Sequence, residues 1–145
     1  MTSVRIPINL RWGDLDAYGH VNNATVMRLL EEARTRGFWR RSDDAEESGI
    51  FPPLDADSPI WSVVSEMQIR YLRQIDYQTA PIMVEMTVSR VAGASLDIDY
   101  QMFSGDDDRP LVTARSTIVT VDRSTGRPCR LPAQMRDALR RFAPS

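Results

Sequence analysis

The chain lacks several residue types on which enzymes commonly depend. All 18 basic residues are arginine, and there is one histidine, His20, and one cysteine, Cys129. The absence of lysine excludes Schiff-base and lysine-base mechanisms. A single histidine excludes metal sites that need two or three histidines from one chain, and we expect neither a metal nor another cofactor. One cysteine cannot form an intramolecular disulfide, which favours the reducing cytoplasm.

Long apolar runs are also missing, so we expect no membrane-spanning segment and no signal peptide. The formal net charge of −2 argues against a nucleic-acid-binding protein, which would normally be basic. Neither a G-x-S-x-G nucleophile motif nor a glycine-rich nucleotide-binding motif occurs. At 145 residues, the chain is expected to form a single domain, residues 1–145.

The hydrophobic pattern predicts a strand over 4–12, a helix from 24 to about 41 and a short helix over 132–142. Four further strands are predicted at 59–75, 82–91, 95–103 and 111–122. Pro7 cannot donate to a neighbouring strand, so the first strand is expected at a sheet edge or a bulge. Residues 42–58 are predicted to form a surface loop or helix tail that can act as a lid.

This order of elements predicts an α+β domain in which one helix covers a face of an antiparallel sheet. Short turns between the later strands predict that they are antiparallel neighbours. Five strands and one long helix leave a sheet edge poorly covered, and self-association is the usual remedy.

The groups that carry chemistry are concentrated directly before the long helix. Between positions 12 and 23 lie two carboxylates, one imidazole and two amides: Asp14, Asp16, His20, Asn22 and Asn23. The free N–H groups of a helix start can stabilise an oxyanion. A nearby carboxylate can attack a carbonyl or activate water, and an imidazole can orient either one.

A structural explanation of the same residues stands beside the catalytic one. Both aspartates are typical of Asx-turns, and Asn22 or Asn23 is a good helix N-cap. His20 would then be a turn residue whose hydrogen bonds are satisfied locally.

The order D-L-D-A-Y-G-H-V-N-N at positions 14–23, followed by E-E-A-R at 31–34, resembles the signature of hotdog-fold acyl-CoA thioesterases. This family includes 4-hydroxybenzoyl-CoA thioesterase. Positions 66–75 are similar to its second-strand pattern, and 93–95 fall at an expected hairpin, so the resemblance covers nearly the whole chain. It implies a hotdog fold, a five-stranded antiparallel sheet wrapped around one long helix, and hydrolysis of an acyl-CoA to a free acid and CoA.

Carried over by position, the resemblance implies that Asp16 is the catalytic nucleophile or general base. It implies that the backbone N–H of Asn23 polarises the thioester carbonyl. His20 matches a histidine that is catalytic in plant acyl-carrier-protein thioesterases of the same superfold, although those enzymes have Asn where this chain has Tyr18. Asp14 is expected to shape the loop.

Arg90 and Ser95 match positions where related enzymes meet the nucleotide, so they are expected to contact CoA. A solvated strand-end charge is the alternative for Arg90. The resemblance also implies a homo-oligomer, either a dimer or a tetramer of two dimers, with active sites shared between chains. Tyr71 and Arg73 are expected to serve packing.

Three functions remain open at this point: a thioesterase, a non-catalytic acyl-CoA-binding or sensing module, and a hydratase or dehydratase. Retention of Asp16 and His20 favours the thioesterase, because a pure binding protein does not need a carboxylate beside a thioester. The acyl group, and the choice between CoA and acyl carrier protein, stay open. Four aromatic residues are candidates for an acyl tunnel or for core and interface: Phe38, Trp39, Phe51 and Trp61.

Overall fold

The computed structural model describes residues 3–39, 51, 56–105 and 107–140. The predicted lid at 42–58 therefore lies mostly outside the described residues. The strands are β1 (Val4–Ile8), β2 (Ile60–Tyr71), β3 (Ile82–Val91), β4 (Ser95–Ser104) and β5 (Val112–Asp122), and the helices are α1 (Asn23–Phe38) and α2 (Ala133–Leu139). No helix in this part of the chain is both long and apolar enough to cross a membrane.

The five strands form one antiparallel sheet in the order β1-β3-β4-β5-β2. With the one long helix α1, this is the expected hotdog architecture. Pro7 lies opposite Met83 on the edge strand β1, as expected for a residue that has no N–H. The expectation that consecutive strands pair is confirmed for β3 with β4 and β4 with β5. It is wrong for β2, which pairs with β5, because residues 72–81 carry the chain across the sheet to β3, next to the opposite edge strand β1.

The helix α1 follows the apolar periodicity of the sequence and lies against β1 and β3. Val26, Leu30 and Ala33 are almost completely buried on its inner face. Near its end the helix comes very close to the sheet. A Cβ atom on Gly37 would lie 2.9 Å from the Met86 side chain. A larger residue there would require the end of the Met86 side chain to move.

Two of the predicted strands, β1 and β2, are shorter than expected. β1 ends at Ile8 rather than at position 12, because Trp12–Asp14 form a short 3-10 turn. β2 ends at Tyr71 rather than at position 75. The chain then runs alongside the motif, and the carbonyl of Ile75 accepts the N–H of Val21 at 2.9 Å. Early termination of both strands thus brings the end of β2 next to the start of α1.

Candidate active site

Asp14 organises the loop that leads into α1. Its side chain is 2% exposed. One carboxylate oxygen accepts the backbone N–H of Arg11 at 2.8 Å, and the other lies 3.1 Å from the Arg11 guanidinium. Its own carbonyl accepts the N–H of Asn22 at 2.9 Å. These contacts agree with the predicted loop-shaping role of Asp14.

Asp16 is half-buried and is held through one oxygen of its carboxylate. Oδ1 accepts the N–H of Tyr18 at 2.8 Å and, more weakly, the N–H of His20 at 3.4 Å. Gly19 has a φ of +78°, a left-handed conformation that lets the chain turn back at this point. Oδ2 accepts no hydrogen bond from the described part of the chain. The Asx-turn and the catalytic interpretation are therefore compatible, because they use different oxygens of one carboxylate.

The His20 ring pairs with a residue that sequence reasoning did not single out. His20 and Asp76 face each other in an isolated antiparallel bridge, with Nε2 of His20 3.4 Å from Oδ1 of Asp76. The other ring nitrogen, Nδ1, is buried and has no hydrogen-bond partner in the structure described. No hydrogen bond joins the ring to the Asp16 carboxylate. Nothing local marks Asp76, which reaches the motif only because the segment after β2 returns to it.

The start of α1 has the geometry expected of a capped helix. Asn22 is the N-cap, and its Oδ1 accepts the N–H of Ala24 at 2.8 Å. The carbonyl of Asn22 accepts the N–H of Val26 at 3.0 Å, which closes the first turn. Within the described residues, the N–H of Asn23 has no acceptor. That group and the positive end of the helix dipole can interact with a carbonyl oxygen.

Asp16, His20 and Asn23 line one cavity of about 370 Å³. Its other walls come from the loop, from α1, from the end of β2 and from the segment that follows β2: Tyr18, Val21, Val26, Tyr71, Leu72, Arg73, Gln74 and Ile75. The structure therefore brings the three predicted catalytic residues together. A carboxylate and an unoccupied backbone donor on residues that line the same cavity are an arrangement suited to acyl transfer.

Tyr71 was expected to serve packing, but it also lines the cavity and makes a hydrogen bond to α1. The residue is 47% exposed, it lines the cavity, and its hydroxyl donates to the carbonyl of Asn23 at 2.8 Å. Sequence reasoning missed this contact because the two residues are distant in the chain. None of the four candidate tunnel aromatics lines the cavity. Phe38, Trp39 and Phe51 belong to the core, whereas Trp61 is exposed on β2.

Arg90 and Ser95 lie together at the β3–β4 hairpin and do not line the cavity. The Arg90 guanidinium makes two bonds to Asp97, at 2.8 and 3.1 Å, and one to the Ser95 hydroxyl at 3.0 Å. The hydrogen bond from Arg90 holds the pKa of Asp97 below its usual value, and a bond from Thr117 acts in the same direction. The Arg90 side chain remains 44% exposed, so its outer surface is open to solvent.

No group of three or more His, Cys, Asp or Glu side chains in the described ranges is placed to hold a metal ion.

The sequence and the fold of this chain are similar to those of known proteins. A model of the thioesterase-like superfamily matches residues 10–139. An uncharacterized Bacillus subtilis (strain 168) protein, YsmA, is 26% identical over 121 residues, which are 83% of this chain and 74% of that protein.

Two solved structures have the same fold over nearly their whole length. A Thermus thermophilus thioesterase complexed with coenzyme A and zinc is 29% identical, with a TM-score of 0.73 over 96% of this chain and 92% of that one. The 1,4-dihydroxy-2-naphthoyl-CoA thioesterase Slr0204 from Synechocystis has a TM-score of 0.80 over 95% and 96% of the two chains, and at 13% identity it shows the fold alone. Because the family match spans most of the sequence, the chain belongs to the thioesterase-like superfamily and is a thioester hydrolase.

Proposed function

We propose that the enzyme hydrolyses an acyl-CoA thioester to the free acid and CoA, with Asp16 as the reactive carboxylate and the Asn23 N–H as the donor to the carbonyl oxygen. One observation carries the proposal: both residues line the same cavity, and neither Oδ2 of Asp16 nor the N–H of Asn23 has a hydrogen-bond partner among the described residues. The thioester carbonyl would accept the Asn23 N–H, which makes its carbon more electrophilic.

In the general-base version, Oδ2 of Asp16 removes a proton from water as the water oxygen attacks the thioester carbon. The negative charge that develops on the carbonyl oxygen is stabilised by the Asn23 N–H and the helix dipole. When the carbon–sulfur bond breaks, CoA leaves as a thiolate and takes the proton from Asp16. The carboxylate is then restored, and the products are the acid and CoA.

In the nucleophilic version, Oδ2 attacks the carbonyl carbon itself and expels the CoA thiolate. Water then hydrolyses the resulting mixed anhydride, which gives the same acid, restores the Asp16 carboxylate and releases the proton that the CoA thiolate takes up. Both versions use the oxygen that carries no hydrogen bond. The N–H groups of Tyr18 and His20 hold Oδ1 and thereby orient Oδ2.

We further propose that Arg90 and Ser95 contact the nucleotide of CoA. An exposed guanidinium can pair with a phosphate, and the bonds to Asp97 orient it beforehand. Coenzyme A in the related Thermus thioesterase is consistent with such a ligand.

A homo-oligomer, either a dimer or a tetramer of two dimers, is the proposed assembly. β2 forms one end of the sheet, so the outer row of its N–H and C=O groups is unpaired among the described residues. It also exposes the large apolar side chains of Trp61, Val63 and Val64. Such an edge is normally paired or covered. Because Cys129 is unpaired, we assign the enzyme to the cytoplasm.

The central test compares the native enzyme with Asp16→Asn in a CoA-release assay over short, medium, long and aromatic acyl-CoAs. Native enzyme should hydrolyse at least one of them. The amide keeps the shape and the Oδ1 bonds but cannot act as a base or nucleophile, so hydrolysis should fall by about 100-fold or more. Thermal unfolding of both proteins provides the folding control.

His20→Ala should lose less activity than Asp16→Asn, because the imidazole pairs with Asp76 rather than with the reactive carboxylate. A loss as large as that of Asp16→Asn would instead favour a coupled Asp–His mechanism. Near-native hydrolysis by folded Asp16→Asn would remove Asp16 from the mechanism. Binding of acyl-CoA without hydrolysis by the native protein would contradict the proposed reaction.

A further inference from the structure

Tyr71 links the end of β2 to the start of α1, and no other side-chain hydrogen bond among the described residues joins these two elements. It is the last residue of β2, at the sheet edge opposite β1, whereas α1 packs mainly against β1 and β3. Its hydroxyl nevertheless reaches the first residue of α1 and donates to the Asn23 carbonyl at 2.8 Å. The ring is 47% exposed. An exposed ring contributes little to the core, so core packing alone does not account for a tyrosine here.

The bonded carbonyl lies in the part of a helix that is least well held. The first turn of an α-helix lacks partners for its N–H groups, and helix ends fray. The peptide between Asn23 and Ala24 is held at both ends here, since Asn22 accepts its N–H at 2.8 Å and Tyr71 donates to its carbonyl. The neighbouring N–H, that of Asn23, has no acceptor among the described residues.

We propose that Tyr71 is a positioning residue for the thioesterase reaction: its hydroxyl fixes the first turn of α1 so that the Asn23 N–H is held ready for the thioester oxygen. This inference rests on the proposed function. A donor that stabilises a developing oxyanion is effective only if it is already oriented when the charge appears. Tyr71 acts through Asn23 and contacts the helix, not the reacting atoms.

A positioning role predicts a different kinetic pattern from a binding or packing role. If the hydroxyl orients the donor, its loss weakens stabilisation of the transition state more than of bound substrate, and kcat falls while KM changes little. If the hydroxyl instead binds substrate, KM rises at constant kcat. If the ring only packs, removing the oxygen alone has no kinetic effect.

The test is Tyr71→Phe, which removes one oxygen and keeps the ring. The matched control is Tyr77→Phe, because Tyr77 is 39% exposed, packs edge-on against Trp12 and does not line the cavity. For both variants we would measure kcat and KM with the best acyl-CoA of the panel, and the thermal midpoint. Amide hydrogen exchange of Val26, whose N–H closes the first turn, would be compared with that of Leu30 in the middle of α1.

For Tyr71→Phe we expect kcat to fall about tenfold, less than the loss of roughly 100-fold or more when an oxyanion donor is removed outright. KM and the thermal midpoint should stay close to native. Exchange at Val26 should become several-fold faster while Leu30 is unchanged, and Tyr77→Phe should behave as native enzyme.

The inference is overturned if kcat of Tyr71→Phe stays within about twofold of native, if only KM changes, if Tyr77→Phe shows an equal loss, or if Val26 exchange is unaltered. Any of these results leaves the proposed function intact when the native enzyme hydrolyses acyl-CoA. If the native enzyme hydrolyses no acyl-CoA, the proposed function fails, and the positioning role fails with it.

Discussion

β2 and β3 are both long strands with alternating side chains, but their surroundings differ. In β3, the inner residues Ile82, Val84, Met86 and Val88 are 0% exposed because α1 and the neighbouring strands cover them. In β2, eight of the twelve residues are exposed, including Val63 at 40% and Val64 at 44%, and the other four are only half-buried. The helix packs over β1 and β3 and leaves the far side of the sheet with less cover.

This difference indicates that one region of the domain provides most of its stability and another contains the groups proposed for catalysis. The packed core lies mainly between β1, β3, β4 and the inner face of α1, and buried residues of β5 and α2 complete it. The loop before α1, the helix start and the end of β2 surround the cavity and keep polar groups accessible. A substitution in the first region should therefore change the free energy of unfolding, and one in the second should change activity or assembly.

The largest effect on stability is expected from Leu30→Ala, since Leu30 is 0% exposed on the inner face of α1. The cavity left by the missing methyl groups should lower the free energy of unfolding by about 2–5 kcal/mol. Met27→Ala on the same helix is the control; Met27 is 48% exposed, so its loss should be about 0.5 kcal/mol or less. Urea unfolding measures both. Equal losses would contradict the proposed division.

A smaller effect is expected from Val64→Asp on the exposed strand β2. Light scattering coupled to size exclusion should give the native protein a molecular mass of two or four times the 16.5 kDa of one chain. In the variant, the added aspartates of two chains would repel each other at the interface, so the measured mass should shift towards the 16.5 kDa of the monomer. Activity should fall by on the order of tenfold, about 1.4 kcal/mol of barrier.

The control for that experiment is Thr79→Asp, which adds the same charge at an exposed position outside the strands. It should keep the native mass and activity. A stable, fully active native monomer of 16.5 kDa would disprove the proposed assembly.

The smallest effect is expected at the Arg90–Asp97 pair. The hydrogen bond from Arg90 lowers the pKa of Asp97 in the folded state. The stabilisation is therefore fully present above the unfolded pKa, about 4, and is lost as the pH falls through the folded value. Asp97→Asn should lower stability by about 1 kcal/mol or less at pH 7, given that Arg90 is partly exposed.

Urea unfolding at pH 7 and at about pH 3 should show that the difference between native enzyme and Asp97→Asn shrinks in acid. The exposed Asp108→Asn substitution is the control and should show no such change. A difference that is the same at both pH values would mean that Asp97 acts through packing rather than through its charge.

The sequence predicted the structure correctly where a feature depends only on residues that are neighbours along the chain. The period of 3.6 in α1, the alternation in β4 and the N-capping residue Asn22 predicted helix, strand and cap, because each depends on neighbours along the chain. The ordered run from Asp14 to Asn23 likewise predicted a site at the start of α1, since its carboxylates and amides are already adjacent.

What the sequence by itself determined was the set of elements, the shared face of α1 and the motif that precedes it. Tertiary structure alone decided that β2 pairs with β5, that Asp76 meets His20 and that Tyr71 reaches Asn23. These contacts join residues far apart in the chain, so the local hydrophobic pattern of the sequence does not predict them. They depend on where the connection after β2 carries the chain, which is set by the packing of the whole sheet around α1.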